Sequence, residues 1–268
     1  MNNTSSPENE NNLLRMTAEV VAAYYRPMTG QKEPFEAVSH LGSGGLSATA
    51  MDLVRFADSF SDAGRHILSE PALREMRKNQ PSSSPAKLRN PNLAYGLGWD
   101  MTYIPKYREQ GIQVLGKSGG TGNYNSMVYT VPDERVSVAV IETGPAGRSV
   151  EIALEILDAV LVEKGLVKEK MLLVSVPPKP EVIPDEYAAY CGYYILSGGR
   201  LASVNLDRTA GRFRVSSVVG GVEVPALCLY YSKGAFYRDD SGGMQLYFTM
   251  VDGEQYAVME SSIGFDMV

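Results

Sequence analysis

The chain has 268 residues, 44% hydrophobic and 21% charged, which is enough apolar material for one large or two smaller globular cores. Its formal charge of −6, from 25 Lys and Arg against 31 Asp and Glu, excludes a basic face for nucleic acid, and no basic run interleaved with aromatics restores one. Two cysteines (Cys191, Cys228) and two histidines (His40, His66) exclude a disulfide framework and give no metal-ligand spacing, so no cofactor is called for; a Cys191–Cys228 bridge stays open, with two buried free thiols the expected state.

Residues 1–12 are polar, lack the basic and apolar regions of a signal peptide, and read as a disordered tail. No window is apolar for long enough to span a bilayer, so no membrane span is expected. A short helix is expected over Leu13–Tyr24, then a turn-rich connection punctuated by Pro27, Gly30 and Pro34. Thr49 and Asp52 form a capping pair ahead of Ala50, Leu53, Val54, Ala57 and Phe60, which recur at helical spacing. Ser69 is placed to cap a second helix over Glu70–Lys78, with Leu73 and Met76 inward. A Ser/Pro loop, 81–91, separates that helix from Tyr95–Met101, read as a strand with Trp99 as core filling. From Gln113 to Glu142 the pattern is strand, small residues around one lysine, strand, a Pro132-Asp133 turn, strand: an antiparallel meander. Val136, Val138 and Val140 alternate with Ser137 and Ala139, so the last strand is expected to be central and covered on both faces. Val150, Ala153, Leu154, Leu157, Val160 and Leu161 predict an amphipathic helix with Glu151, Glu155, Asp158 and Glu163 outside.

Prolines 177, 178, 180 and 184 mark an extended linker over 173–184, dividing the chain into 1–172 and 185–268. Beyond it, nine of the 16 tyrosines and recurrent Gly and Asp-Gly turns predict a small all-β barrel or sandwich. Its tyrosines read as core and interface.

The stretch that carries chemistry is Lys117-Ser118-Gly119-Gly120-Thr121-Gly122-Asn123. On a strand it aligns an ammonium, a hydroxyl and unobstructed backbone N–H groups along one sheet edge, as binding a carboxylate or an oxyanion requires. Lys117-Ser118-Gly119 resembles the third motif of the serine β-lactamase and penicillin-binding protein superfamily. Gly44-Gly45-Leu46-Ser47 through Phe56, Tyr95-Gly96-Leu97-Gly98-Trp99, and Val131-Pro132-Asp133-Glu134-Arg135 leading into Val136–Val140 resemble the class C, esterase-like branch, in the same order over roughly residues 1–165. Glu186 to Tyr194 resembles the start of a lipocalin-like domain appended to some such proteins. The resemblance implies an α+β fold, the C-terminal part of a β-lactamase or transpeptidase-like domain, followed by a lipocalin-like β-barrel.

It also implies roles. Lys117 binds a substrate carboxylate or tunes the base, Ser118 donates to the same group, and the Gly120 N–H forms half of an oxyanion hole. Gly119, Thr121 and Asn123 flank these as substrate-contacting positions. The family's Ser-x-x-Lys nucleophile and its Tyr/Ser-x-Asn motif precede the region that Met1-Asn2-Asn3-Thr4 resembles, so the acyl-accepting serine is expected outside this chain, in a missing N-terminal segment or a second chain. Ser84-Pro85-Ala86-Lys87 matches the nucleophile motif literally, yet Pro81, Pro85 and Pro91 deny it a helix. Ser203-Val204-Asn205 matches the second motif by chance. The functional expectation is a β-lactamase-related serine hydrolase acting on small peptide or acyl substrates, inactive alone, and extracytoplasmic or at the cell envelope when complete. The alternatives are a non-catalytic module for carboxylate-bearing peptides, and a β-barrel that binds a small ligand or a partner protein.

Overall fold

A computed structural model of the chain describes residues 30–32, 42, 44–61, 66–80, 95–144, 147–168, 178–195, 201–238, 244–251, 254–261 and 264–267. These fall into two compact units, the second beginning with the residues from 178 onward. The expected helix over Leu13–Tyr24, His40 and the Ser84–Lys87 stretch lie outside the described residues.

The first unit is built on a three-stranded antiparallel sheet in chain order: β1 (Leu115–Gly120), β2 (Tyr124–Val131) and β3 (Val136–Thr143). β1 runs unbroken through Lys117, and β2 begins at Tyr124. Between β2 and β3 a single 3₁₀ turn, Pro132–Glu134, ends on Arg135 in the left-handed region (φ 52°). Arg135 is tied there by a two-pronged ion pair to Asp58, with Nε at 2.9 Å and Nη2 at 3.1 Å.

Strand alternation gives the sheet two apolar faces. Met127, Tyr129, Val131, Val136 and Val138 share one with α4 (Ser149–Glu163), which lays Ala153, Leu157 and Leu161 across it. Leu157 and Leu161 are fully buried, each stabilising the unit by about 2 kcal/mol through removal from water. The opposite face, Leu115, Val128 and Ala139, is covered by Ala57 of α1 (Ala50–Asp58), by Phe60 just beyond it, by Leu73 of α2 (Glu70–Arg77) and by Trp99. The Phe60 and Trp99 rings meet edge to face at 5.0 Å. A short helix, α3 (Pro105–Arg108), completes the unit.

Four sequence expectations need correction here. β3 is covered on both faces, but β2 is the central strand and β3 is an edge among the described residues, with Ile141 exposed near its end. Asp158 is buried on α4, because the buried Tyr107 hydroxyl donates to its carboxylate at 3.1 Å. Burial, then this carboxylate, push the Tyr107 phenol well above its usual range. Ser69 has the extended backbone of an N-cap yet its side chain makes no cap bond; Thr49 does, accepting from the Asp52 N–H at 3.1 Å. Tyr95–Met101 is a turn-rich loop, since Gly96 N–H bonds the Trp99 carbonyl at 3.0 Å and Gly98 takes φ +76°.

The second unit is an eight-stranded antiparallel meander from β4 (Gly192–Ile195) through β5 (Leu201–Asp207), β6 (Arg212–Val219), β7 (Val222–Ser232), β8 (Ala235–Arg238), β9 (Met244–Val251) and β10 (Glu254–Ser261) to β11 (Gly264–Met267). Register shifts after Val215 and after Phe236 curl it into a half-barrel. Its concave side is packed with aromatic rings: Phe213 to Phe236 at 4.6 Å and Tyr190 to Phe248 at 4.7 Å. The end of the expected linker belongs to this unit, for Glu181 N–H bonds the Tyr231 carbonyl at 2.9 Å and Ile183 is buried. Cys191 and Cys228 are free, as expected, but exposed. Cys191 follows a 3₁₀ segment (Asp185–Tyr190) with no buried residue, and Cys228 pairs with Arg214 in the ladder.

Candidate active site

β1 presents its N–H and C=O groups alternately to its two edges. Residues 115, 117 and 119 face β2, and the ladder closes with the Thr121 N–H on the Tyr124 carbonyl at 2.8 Å. Residues 116, 118 and 120 therefore face the other edge. There Gly116 pairs with Met101, its N–H donating to the Met101 carbonyl at 3.0 Å and its carbonyl accepting from the N–H groups of Asp100 and Met101 at 2.9 and 3.2 Å. Only glycine fits at 116: a Cβ there would lie 2.7 Å from Met101 Cγ and 2.8 Å from Tyr129 Cε1.

One residue further along this edge the Asp100 carboxylate takes over from backbone pairing. Its Oδ2 accepts from the Ser118 N–H at 2.6 Å and from the Ser118 hydroxyl at 2.6 Å. The Lys117 ammonium meets the same carboxylate, at 3.0 Å from Oδ1 and 3.2 Å from Oδ2, and also donates to the Ser118 carbonyl at 2.6 Å. Asp100 thus takes both Ser118 donors and shares the Lys117 ammonium with the Ser118 carbonyl. Asp100 is 16% exposed and Lys117 38%, so the pair sits at the rim of the unit, half shielded from solvent. Close by, burial and then the Asp100 charge raise the Tyr129 phenol far above its usual range, keeping it neutral.

The Gly120 N–H is next in the alternation and points to the same edge, and a Cβ at this position would meet only ordinary contacts, at 3.6 and 3.7 Å. Gly119 faces β2, and a Cβ there would strike Ser126 Oγ at 2.6 Å. The Thr121 hydroxyl is turned into the hairpin, accepting from the N–H groups of Asn123 and Tyr124, each at 3.2 Å. Asn123 is buried, and its carbonyl receives the Gly144 N–H at 2.8 Å. Lys117, Ser118, Gly119 and Gly120 therefore share one strand, whereas Thr121 and Asn123 hold the turn behind it. Sequence reasoning missed Asp100. The available signal was an acid directly after Trp99, inside a stretch already singled out.

His66 lies with Nε2 2.8 Å from the Ser61 carbonyl and Nδ1 2.7 Å from Glu70 Oε1, a structural setting. Among the described residues no group of three or more His, Cys, Asp or Glu side chains gathers to hold a metal ion. No described helix is long and apolar enough to cross a membrane.

A lysine-serine-glycine strand edge beside a helix-covered antiparallel sheet is the arrangement expected from the sequence, and a family model described as Beta-lactamase matches residues 2–161. The chain belongs to the beta-lactamase family. This places it in the serine β-lactamase and penicillin-binding protein superfamily, with an α+β fold followed by a β unit. Among solved structures, one described as the crystal structure of SurE is similar over 93% of this chain at 20% identity, with a TM-score of 0.55. A second, SurE with D-Leu, is similar over 96% at 20% identity, with a TM-score of 0.51. This beta-lactamase family chain spans 55% and 58% of the length of those two chains. No curated protein matches it.

Proposed function

We propose that this chain supplies the anion-receiving strand edge of a β-lactamase-related serine hydrolase, a member that transfers acyl groups from amide or ester substrates such as D-Ala-type peptides, β-lactams or esters. The observation that carries this reading is the shared edge: the Lys117 ammonium, the Ser118 hydroxyl and N–H, and the Gly120 N–H all serve one side of β1. Family membership over residues 2–161 supports the same chemical class.

In this reading a serine oxygen attacks the substrate carbonyl, and the carbonyl oxygen takes up the electron pair as an oxyanion. The Gly120 N–H stabilises that charge, a type of donor whose loss costs roughly 2.7–4 kcal/mol of barrier in well-studied hydrolases. The intermediate collapses by expelling the amine or alcohol, leaving an acyl-serine that water hydrolyses. Lys117 and Ser118 set the field in which the proton on the attacking oxygen moves. The sequence holds Ser-x-x-Lys at Ser84–Lys87 alone, with Pro85 inside it, so the reading assigns the nucleophile to a segment outside this chain.

The test is covalent labelling followed by intact mass. Purified chain incubated with a fluorescent penicillin stays unlabelled. The same chain joined to a family segment bearing a helical Ser-x-x-Lys gains one adduct on that serine, and the Lys117→Ala variant of the joined protein loses most of it. Labelling of the chain alone at any serine refutes the assignment of the nucleophile, and labelling indifferent to Lys117→Ala refutes the role of the edge.

A further inference from the structure

The edge that should receive a substrate anion already holds one. Asp100 Oδ2 occupies the point where the Ser118 N–H and hydroxyl converge, and Lys117 Nζ closes on the same group. This carboxylate is fixed from both sides along the chain. Trp99, just before it, is buried in the core under α1, and the N–H groups of Asp100 and Met101 both donate to the Gly116 carbonyl. A tethered carboxylate at fixed distance competes as if at high local concentration, and no second acid can reach these donors without displacing it. A carboxylate brought by a substrate would also meet the Asp100 charge at close range, which opposes binding.

Resting on the reading of the Lys117–Gly120 edge as the acyl site, we infer that Asp100 is a specificity-determining residue: it fills the carboxylate seat from within, so the site favours neutral acyl substrates, esters or C-terminally blocked amides, over those with a free carboxylate. The net charge at the seat is zero, one ammonium against one carboxylate. The Gly120 N–H is left to the substrate's carbonyl, since Asp100 bonds Ser118 and Lys117 only.

The experiment measures binding, so it needs no nucleophile. The intact chain is titrated by calorimetry with N-acetyl-D-alanyl-D-alanine and with its C-terminal amide, at one ionic strength. Wild type binds the amide more tightly than the acid. Asp100→Asn frees the ammonium and raises affinity for the acid on the order of tenfold, the scale of one charge-assisted hydrogen bond, while the amide changes by less than about twofold. Adding Lys117→Ala to Asp100→Asn abolishes the gain. Asp100→Ser, which keeps an acceptor for the Ser118 N–H without the charge, shows the same reversal and stands in if Asp100→Asn fails to fold. An acid-to-amide ratio unchanged in both Asp100 variants overturns the inference while leaving the edge as a binding site. Failure of either ligand to bind any of the proteins overturns the acyl-site reading itself.

Discussion

Replacing Gly116 with alanine tests whether the close approach of β1 to the Asp100 loop is a packing requirement. The new methyl would lie 2.7 Å from Met101 Cγ, 2.9 Å from Met101 Sδ and 2.8 Å from Tyr129 Cε1. Methionine can give way, but Tyr129 is 1% exposed and wedged against α4, so the strand or the loop must move. Overpacking of this kind costs about 1–3 kcal/mol. Gly116 sits on extended strand backbone, so alanine is conformationally allowed and returns about 0.4–1 kcal/mol by restricting the unfolded chain. The net expectation is a loss of about 1–2 kcal/mol, which lowers a urea midpoint by roughly 0.5–1 M. Trp99 is the only tryptophan and is buried in the same unit, so its fluorescence reports this transition directly. Gly120→Ala is the control, because its methyl meets only ordinary contacts at 3.6 and 3.7 Å and should leave the midpoint in place. A Gly116→Ala midpoint at or above wild type, or a Gly120→Ala loss of equal size, would refute the reasoning.

Three further outcomes follow from the same geometry. Tyr107→Phe removes the hydroxyl that donates to the buried Asp158 carboxylate and should cost about 1–3 kcal/mol in denaturant unfolding; an unchanged midpoint would show that this bond contributes nothing. The Arg135 hydrogen bond holds the Asp58 carboxyl below its ordinary 3.8, so its contribution is present above that pH and is lost as pH falls through the lower folded value. Asp58→Asn should therefore flatten the acid limb of a stability–pH profile, and an unaltered slope would count against the ion pair. Burial, with nearby carboxylates, raises the phenols of Tyr107 and Tyr129 above 10.0, so their contribution is complete below that value and falls as the unfolded chain ionises first. Urea midpoints should drop as pH rises above about 10, and Tyr129→Phe should soften that drop.

The parts legible in the sequence are those with a period or a cap. Thr49 before an apolar helical rhythm, valines at every second position, and the Pro132-Asp133 turn each bring a local rule that tertiary contacts left intact. Asp158 broke its pattern because a partner 51 residues away, Tyr107, made burial tolerable, and no local spacing reveals such a partner. Tyr95–Met101 looked extended because its aromatics are strand formers, but Gly96 lies so close to the Met76 carbonyl that a Cβ has no room there. The lysine motif was legible as an edge with donors. What those donors hold was not, because the Met101–Gly116 bridge that delivers Asp100 is a non-local pairing of two unremarkable residues.

Trp99 and Asp100 are neighbours in the chain, one a peg in an apolar socket and the other a charge at the surface. With a single peptide unit between them, the packing of that socket, to which Phe60 and Leu73 contribute, bears on where the carboxylate sits. Ligand preference at the rim is thereby made sensitive to the shape of hydrocarbon that no ligand touches, and variation under α1 becomes a route by which relatives of this chain can retune what they accept.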